Sequence, residues 1–205
     1  MPTAGRPAAA LVAALLGVVL AHGTARAEPQ ASVGVTLGAA GAGLERRWWE
    51  ATAFHAGLRG DVLFGRGAND DFGVGPYAEV LTHGFDELQA GAGVSALAPV
   101  LDLFPLIVST GVYGRWSADA DALEPGIAAA VFWGARSYNF HSPYVMSTGL
   151  LAQMRLGLGA SKETAIVLAA QLDVALLGLP FVYLFNVLTG PSPEAAPVRR
   201  AASAR

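Results

Sequence analysis

Ser147–Asp173, STGLLAQMRLGLGASKETAIVLAAQLD, sets the pattern for the rest of the chain. Alternate residues separate cleanly. Ser147, Gly149, Leu151, Gln153, Arg155, Gly157 and Gly159 form one series; Met146, Thr148, Leu150, Ala152, Met154, Leu156 and Leu158 form the other. After the turn Ala160-Ser161-Lys162-Glu163 the alternation resumes. Ile166, Leu168, Ala170 and Leu172 stand against Ala165, Val167, Ala169, Gln171 and Asp173. A period of two is the signature of a strand. The stretch therefore predicts a β-hairpin with one apolar face and one face holding Gln153, Arg155, Gln171 and Asp173.

The same parity runs upstream. Six further strands are predicted at about 30–38, 51–65, 72–83, 87–97, 106–116 and 126–138. On nearly all of them the glycines fall in the same series as the charges. Arg59 and Asp61 share a face with Gly57; Glu79 with Gly73 and Gly75; Glu87 with Gly91 and Gly93; Arg115 with Gly111; Arg136 with Gly126 and Gly134. Eight antiparallel strands enclose a lumen just wide enough for side chains to fill. Glycines on the inward series leave room there for long charged ones. A soluble barrel would place its large apolar residues inside, and an apolar belt turned to water would aggregate. The chain is therefore read as all-β, an eight-stranded antiparallel up-and-down transmembrane barrel with its apolar face to lipid. Aromatics near the strand ends fit two interfacial girdles, with Trp48, Trp49, Phe85 and Trp116 at one edge and Phe64, Phe72, Phe104, Tyr138, Phe140 and Tyr144 at the other.

Composition agrees. Of 205 residues, 53% are hydrophobic and 14% charged, and cysteine is absent. Soluble domains carry about 25% charged residues. Without cysteine there is no disulfide and no thiolate site. Residues 1–27 read as a signal peptide, with Arg6, an apolar run over 8–21 and a cleavage site at Ala25-Arg26-Ala27. The barrel is assigned to 28–189 and the tail 190–205, rich in Pro, Ala and Ser, is expected to be disordered. Loss of Arg6 and Arg26 from the 13 basic residues leaves all 16 acidic ones in place, which argues against nucleic acid as a partner.

The mature chain resembles the small eight-stranded outer-membrane β-barrels and is similar in outline to the OmpA transmembrane domain. The resemblance implies residence in a bacterial outer membrane, among its lipids and lipopolysaccharide, far more firmly than it implies an activity. In that family the final strand is aromatic-rich and ends in Phe. Phe181, Tyr183 and Phe185 are similar to that ending, but Pro180 interrupts it, so strand eight either stops near Gly178 or runs on to Phe185.

The candidate site is the inward charge series Arg59, Asp61, Glu79, Glu87, Arg115, Arg136, Arg155 and Asp173, four residues of each sign. Buried charges must be paired, so these are expected to form a lumenal salt-bridge network in a barrel of structural or interaction type. A narrow small-solute channel gated by breaking one pair is the alternative. A lipid-modifying enzyme is a more distant one. His141-Ser142 superficially resembles the His and Ser of lipid A deacylases, yet neighbours on an extended chain point apart and Pro143 marks a turn. No catalytic, cofactor-binding or metal site is assigned. His55 and His83 are expected to be hydrogen-bonded lumen residues. Asp119, Asp121 and Glu124 form an acidic outer loop whose carboxylates are of the kind that hard cations such as Ca²⁺ accept.

Overall fold

The computed structural model describes residues 28–117, 123–139 and 141–189. The signal-peptide and tail assignments, together with Asp119, Asp121 and Phe140, lie outside the described residues.

Eight antiparallel strands close on themselves: β1 (Gln30–Gly43), β2 (Ala51–Leu63), β3 (Gly73–His83), β4 (Glu87–Ala98), β5 (Leu106–Ser117), β6 (Glu124–Ala135), β7 (Thr148–Gly157) and β8 (Thr164–Asp173). Each pairs with its sequence neighbours, and β1 closes the ring by pairing along β8 from Gly34↔Asp173 to Gly43↔Thr164. A closed ring has no free edge, so the strands' backbone groups find partners within the sheet. One end, here called the lower rim, carries Gln30 and Asp173. The upper rim carries the β1–β2, β3–β4, β5–β6 and β7–β8 links.

Burial is inverted relative to a soluble barrel. Arg136 and Arg155 are 1% exposed, whereas Val112 and Leu150 are 64% and 63% exposed. No charged residue occupies the outward series of any of the eight strands. Glycine makes the packed interior possible, as expected. A Cβ on Gly126 would lie 2.3 Å from the Tyr113 ring, and one on Gly111 would lie 2.7 Å from the Tyr77 hydroxyl. The inward series is not wholly polar, however. Leu63, Leu97, Ile107, Phe132, Leu151 and Val167 fill part of the lumen with apolar side chains.

Pro76, which cannot donate to the ladder, marks a break in it. On the β2 side the ladder stops at Asp61↔Tyr77 and resumes at Phe64↔Val74 in the same register, the missing rungs being those that Pro76 has no N–H to make. Two expectations are corrected, at the ends of β1 and β8. First, β1 extends to Gly43 rather than stopping near Gly38, its last residues pairing with β2 as far as Ala42↔Ala51 and with β8 as far as Gly43↔Thr164. Second, strand eight neither stops near Gly178 nor continues to Phe185; it ends at Asp173. The chain turns into helix α1 (Val174–Thr189). Asp173 caps it, its Oδ1 accepting the Ala175 N–H at 2.8 Å. The run is apolar on both faces, so it has no period of two to hold it in the sheet. The helix carries Pro180 inside it and buries none of its residues. Among the described residues no helix is long and apolar enough to cross a membrane.

Candidate functional site

The lumen charges separate into three layers. The middle layer centres on Glu79. Arg59 faces it directly across β2–β3, and Arg155 reaches it from β7. Arg59 Nη1 lies 2.7 Å from Oε2 and Arg155 Nη1 lies 2.6 Å from Oε1. Gln153 Nε2 donates to both oxygens, at 2.9 and 3.1 Å. Two guanidiniums on one carboxylate leave an excess positive charge in a buried place. Two tyrosine faces compensate it. Arg59 sits 3.9 Å above the Tyr77 ring and Arg155 sits 4.0 Å above that of Tyr113. A cation over an aromatic face is attracted by the ring quadrupole, the more so when it is desolvated.

The lower layer holds Arg136, Asp61, Arg66 and Asp173. Arg136 grips Asp61 with both terminal nitrogens, at 2.8 and 2.7 Å. This fork geometry matches a carboxylate and is the stronger form of the pair. Arg66, fully buried, turns to the Gln30 side chain and the Asn69 carbonyl. The β6–β7 link folds back against the start of β1, where Ala31 N–H donates to the Pro143 carbonyl at 2.7 Å and Val145 N–H to that of Ala31 at 2.8 Å. Among the described residues Asp173 pairs with no arginine. It accepts the Tyr144 hydroxyl at 2.7 Å and the Ser147 N–H at 2.9 Å. Burial and the adjacent carboxylate push the Tyr144 hydroxyl up to about 12, so it remains a donor. Tyr144, expected in an aromatic girdle, thus turns its hydroxyl to a lumen carboxylate.

The upper layer is built around Arg115 and differs in sign. Arg115 Nε donates to Glu87, and Nη1 donates to Glu124 Oε2 at 3.0 Å. Glu163 also lies against Arg115 Nε, but its Oε2 is buried and accepts no hydrogen bond. Glu124 is fixed from its other side by Ser161, whose N–H donates to Oε1 at 2.8 Å. His83 Nδ1 sits 2.9 Å from Glu87 Oε1, and its Nε2 is buried without a partner. Behind it the His55 ring lies at 5.4 Å, with Nε2 3.0 Å from the Thr36 hydroxyl. Above the cluster lies a cavity of about 340 Å³, lined among others by Glu50, Asp86, His83, Glu87, Arg115 and Glu163. Burial, then the nearby Glu87 carboxylate, lifts Glu163 from the ordinary carboxylate range to about 7.

All eight sequence-predicted charges lie on the inward series, but they form three separate groups rather than one balanced network. Glu124 and Glu163, assigned from sequence to loop and turn, join the site. Both were within reach of the parity argument. Glu124 lies two residues before inward Gly126, and Glu163 two before inward Ala165. Tyr77, Tyr113 and Gln153 were on the inward series but gave no sign of their roles. At the lower rim, His141 is exposed and the Ser142 hydroxyl accepts the Tyr144 N–H at 3.1 Å, closing the turn.

Comparison with protein-family models, with curated proteins and with solved structures finds no match to the chain.

Proposed function

We propose that the chain is a bacterial outer-membrane β-barrel of structural or interaction type, with a lumen blocked by ion pairs and side-chain packing. The observation that carries this is the inversion of burial. Arginine and glutamate are packed inside, and the outward series of every strand is free of charge. Such a surface is compatible with hydrocarbon and not with water. Strands of 10 to 14 residues are long enough to cross a bilayer at a tilt. Closure of the sheet supplies the other requirement, since lipid offers no hydrogen bonds to an open edge. The resemblance to small outer-membrane barrels such as the OmpA transmembrane domain rests on this architecture. Outer-membrane lipid and lipopolysaccharide are then the chain's immediate neighbours.

The closed middle layer favours a structural role over a small-solute channel. The exposed His141 ring and the turn-bound Ser142 hydroxyl favour a non-catalytic one. Membrane fractionation tests the proposal. The chain is expected with the outer membrane, migrating differently on a denaturing gel before and after heating. Recovery in the soluble periplasm overturns it. Planar-bilayer recording is expected to be silent for the wild-type barrel and for Arg155→Ala; steady conductance from either would replace the structural role with a pore.

A further inference from the structure

We propose that His83, Glu87 and Glu163 form a binding site for a single divalent transition-metal ion, of which Zn²⁺ is the type, at the upper rim of the barrel. The site stands on the barrel fold and does not depend on the membrane assignment. His83 offers a ring nitrogen and the two glutamates a carboxylate oxygen each, all within 4.8 Å of one another. An ion about 2.0–2.2 Å from each donor draws them together by small side-chain movements alone. The three residues come from β3, the start of β4 and the β7–β8 link, so three separate segments of the closed ring hold the donors in place.

Two independent observations point to a missing cation. The first is Glu163. Its Oε2, on a side chain 6% exposed, accepts no hydrogen bond and lies against the Arg115 Nε, whose one N–H goes to Glu87. Buried polar atoms are nearly always satisfied, and each exception calls for an explanation. The second is the local charge. Glu87, Glu124 and Glu163 surround a single guanidinium, that of Arg115. Three carboxylates against one guanidinium leave two negative charges without an arginine partner, and burying unpaired charge is costly. A divalent ion brings the sum to zero. Arg115 then keeps Glu124, 3.0 Å away, and yields the other two carboxylates to the metal.

The donor set selects the class of ion. Calcium and magnesium prefer oxygen alone, whereas imidazole suits zinc and its neighbours in the transition series. Three protein donors leave a fourth position for water or a ligand. That position faces the cavity of about 340 Å³, whose wall adds Glu50 and Asp86 and so favours the arrival of cations.

The test uses the full chain refolded in detergent micelles, stripped with chelator and equilibrated with Zn²⁺ alone. Elemental analysis after desalting is expected to give one zinc per folded barrel. Co²⁺ substitution is expected to give visible ligand-field absorption. His83→Gln and Glu163→Gln, checked for folding by their heat-modifiable migration, are each expected to weaken zinc binding by about tenfold to a hundredfold or more, on the scale of lost metal-site contacts. Asp86→Asn, on the cavity wall, keeps the full stoichiometry. Zinc retained equally by folded His83→Gln or Glu163→Gln overturns the site. So does a folded wild-type barrel that holds no zinc and gives no cobalt spectrum, a result that needs no variant at all.

Discussion

The middle and upper layers of the lumen solve the same problem in opposite directions. Around Glu79 there are two arginines for one carboxylate, and the surplus positive charge rests on the faces of Tyr77 and Tyr113. Around Arg115 there are three carboxylates for one arginine, and the surplus negative charge is left to the proton that Glu163 holds up to about 7 and to His83, 2.9 Å from Glu87. Aromatic faces are electron-rich, so they can help a cation and not an anion. The difference teaches that a lumen balanced in total need not be balanced layer by layer. In the middle layer the surplus charge meets aromatic faces of the same chain; in the upper layer it leaves room for the proposed ion or for a proton.

The contrast breaks most easily at Glu79. Glu79→Gln keeps the shape but leaves Arg59 and Arg155 buried without a counter-charge. A loss of about 3–5 kcal/mol of unfolding free energy is expected, read as a lower urea midpoint for loss of the heat-modifiable band. An unchanged midpoint would mean that Glu79 does not hold the middle layer together.

In the upper layer the same kind of substitution should act with the opposite sign. In chelator-treated protein at about pH 8, Glu163→Gln relieves the crowding of carboxylates and raises stability by about 1 kcal/mol. Its pH dependence follows from the Glu163 proton, which the folded barrel holds up to about 7. Folding favours the protonated form, so the wild-type barrel gains stability relative to Glu163→Gln as the pH falls below about 7. The gain is complete once the pH is below the ordinary carboxylate value. Parallel pH profiles for the two proteins would contradict this.

Tyr113→Leu removes one face from beneath Arg155 while keeping apolar bulk. A cost of about 1–2 kcal/mol is expected, and coupling to Arg155 should appear in a double-mutant cycle with Arg155→Met. Ser161→Ala removes one of the two Ser161 donors that fix Glu124, and about 0.5–1 kcal/mol is expected. Because Glu124 is the partner Arg115 keeps, this variant should also weaken Zn²⁺ binding slightly while leaving one ion per chain.

Much of this was legible beforehand, and the reason is geometric. Successive Cβ atoms on a strand point to opposite faces, so face identity is a local property. That is why Arg59, Glu79, Arg136 and Arg155 could be placed inside from their own neighbours. Glu124 and Glu163 escaped because the alternation was begun two residues too late after the turns that precede Gly126 and Ala165. Helix α1 escaped for another reason. From Val174 to Phe185 the chain is apolar at almost every position, so no period distinguishes strand from helix, and the Asp173 cap on the first turn is not written in that pattern.

The sequence by itself determined which residues line the lumen, which face outward, and that glycine would make room inside. Only the tertiary structure decided which charges meet. Arg155 and Glu79 are 76 residues apart, and Arg136 and Asp61 are 75. Parity assigns a side chain to a face but not to a height. Height along the barrel is set by the register of all eight strands and the stagger that closes them. That register placed two arginines at the level of Glu79 and three glutamates at the level of Arg115.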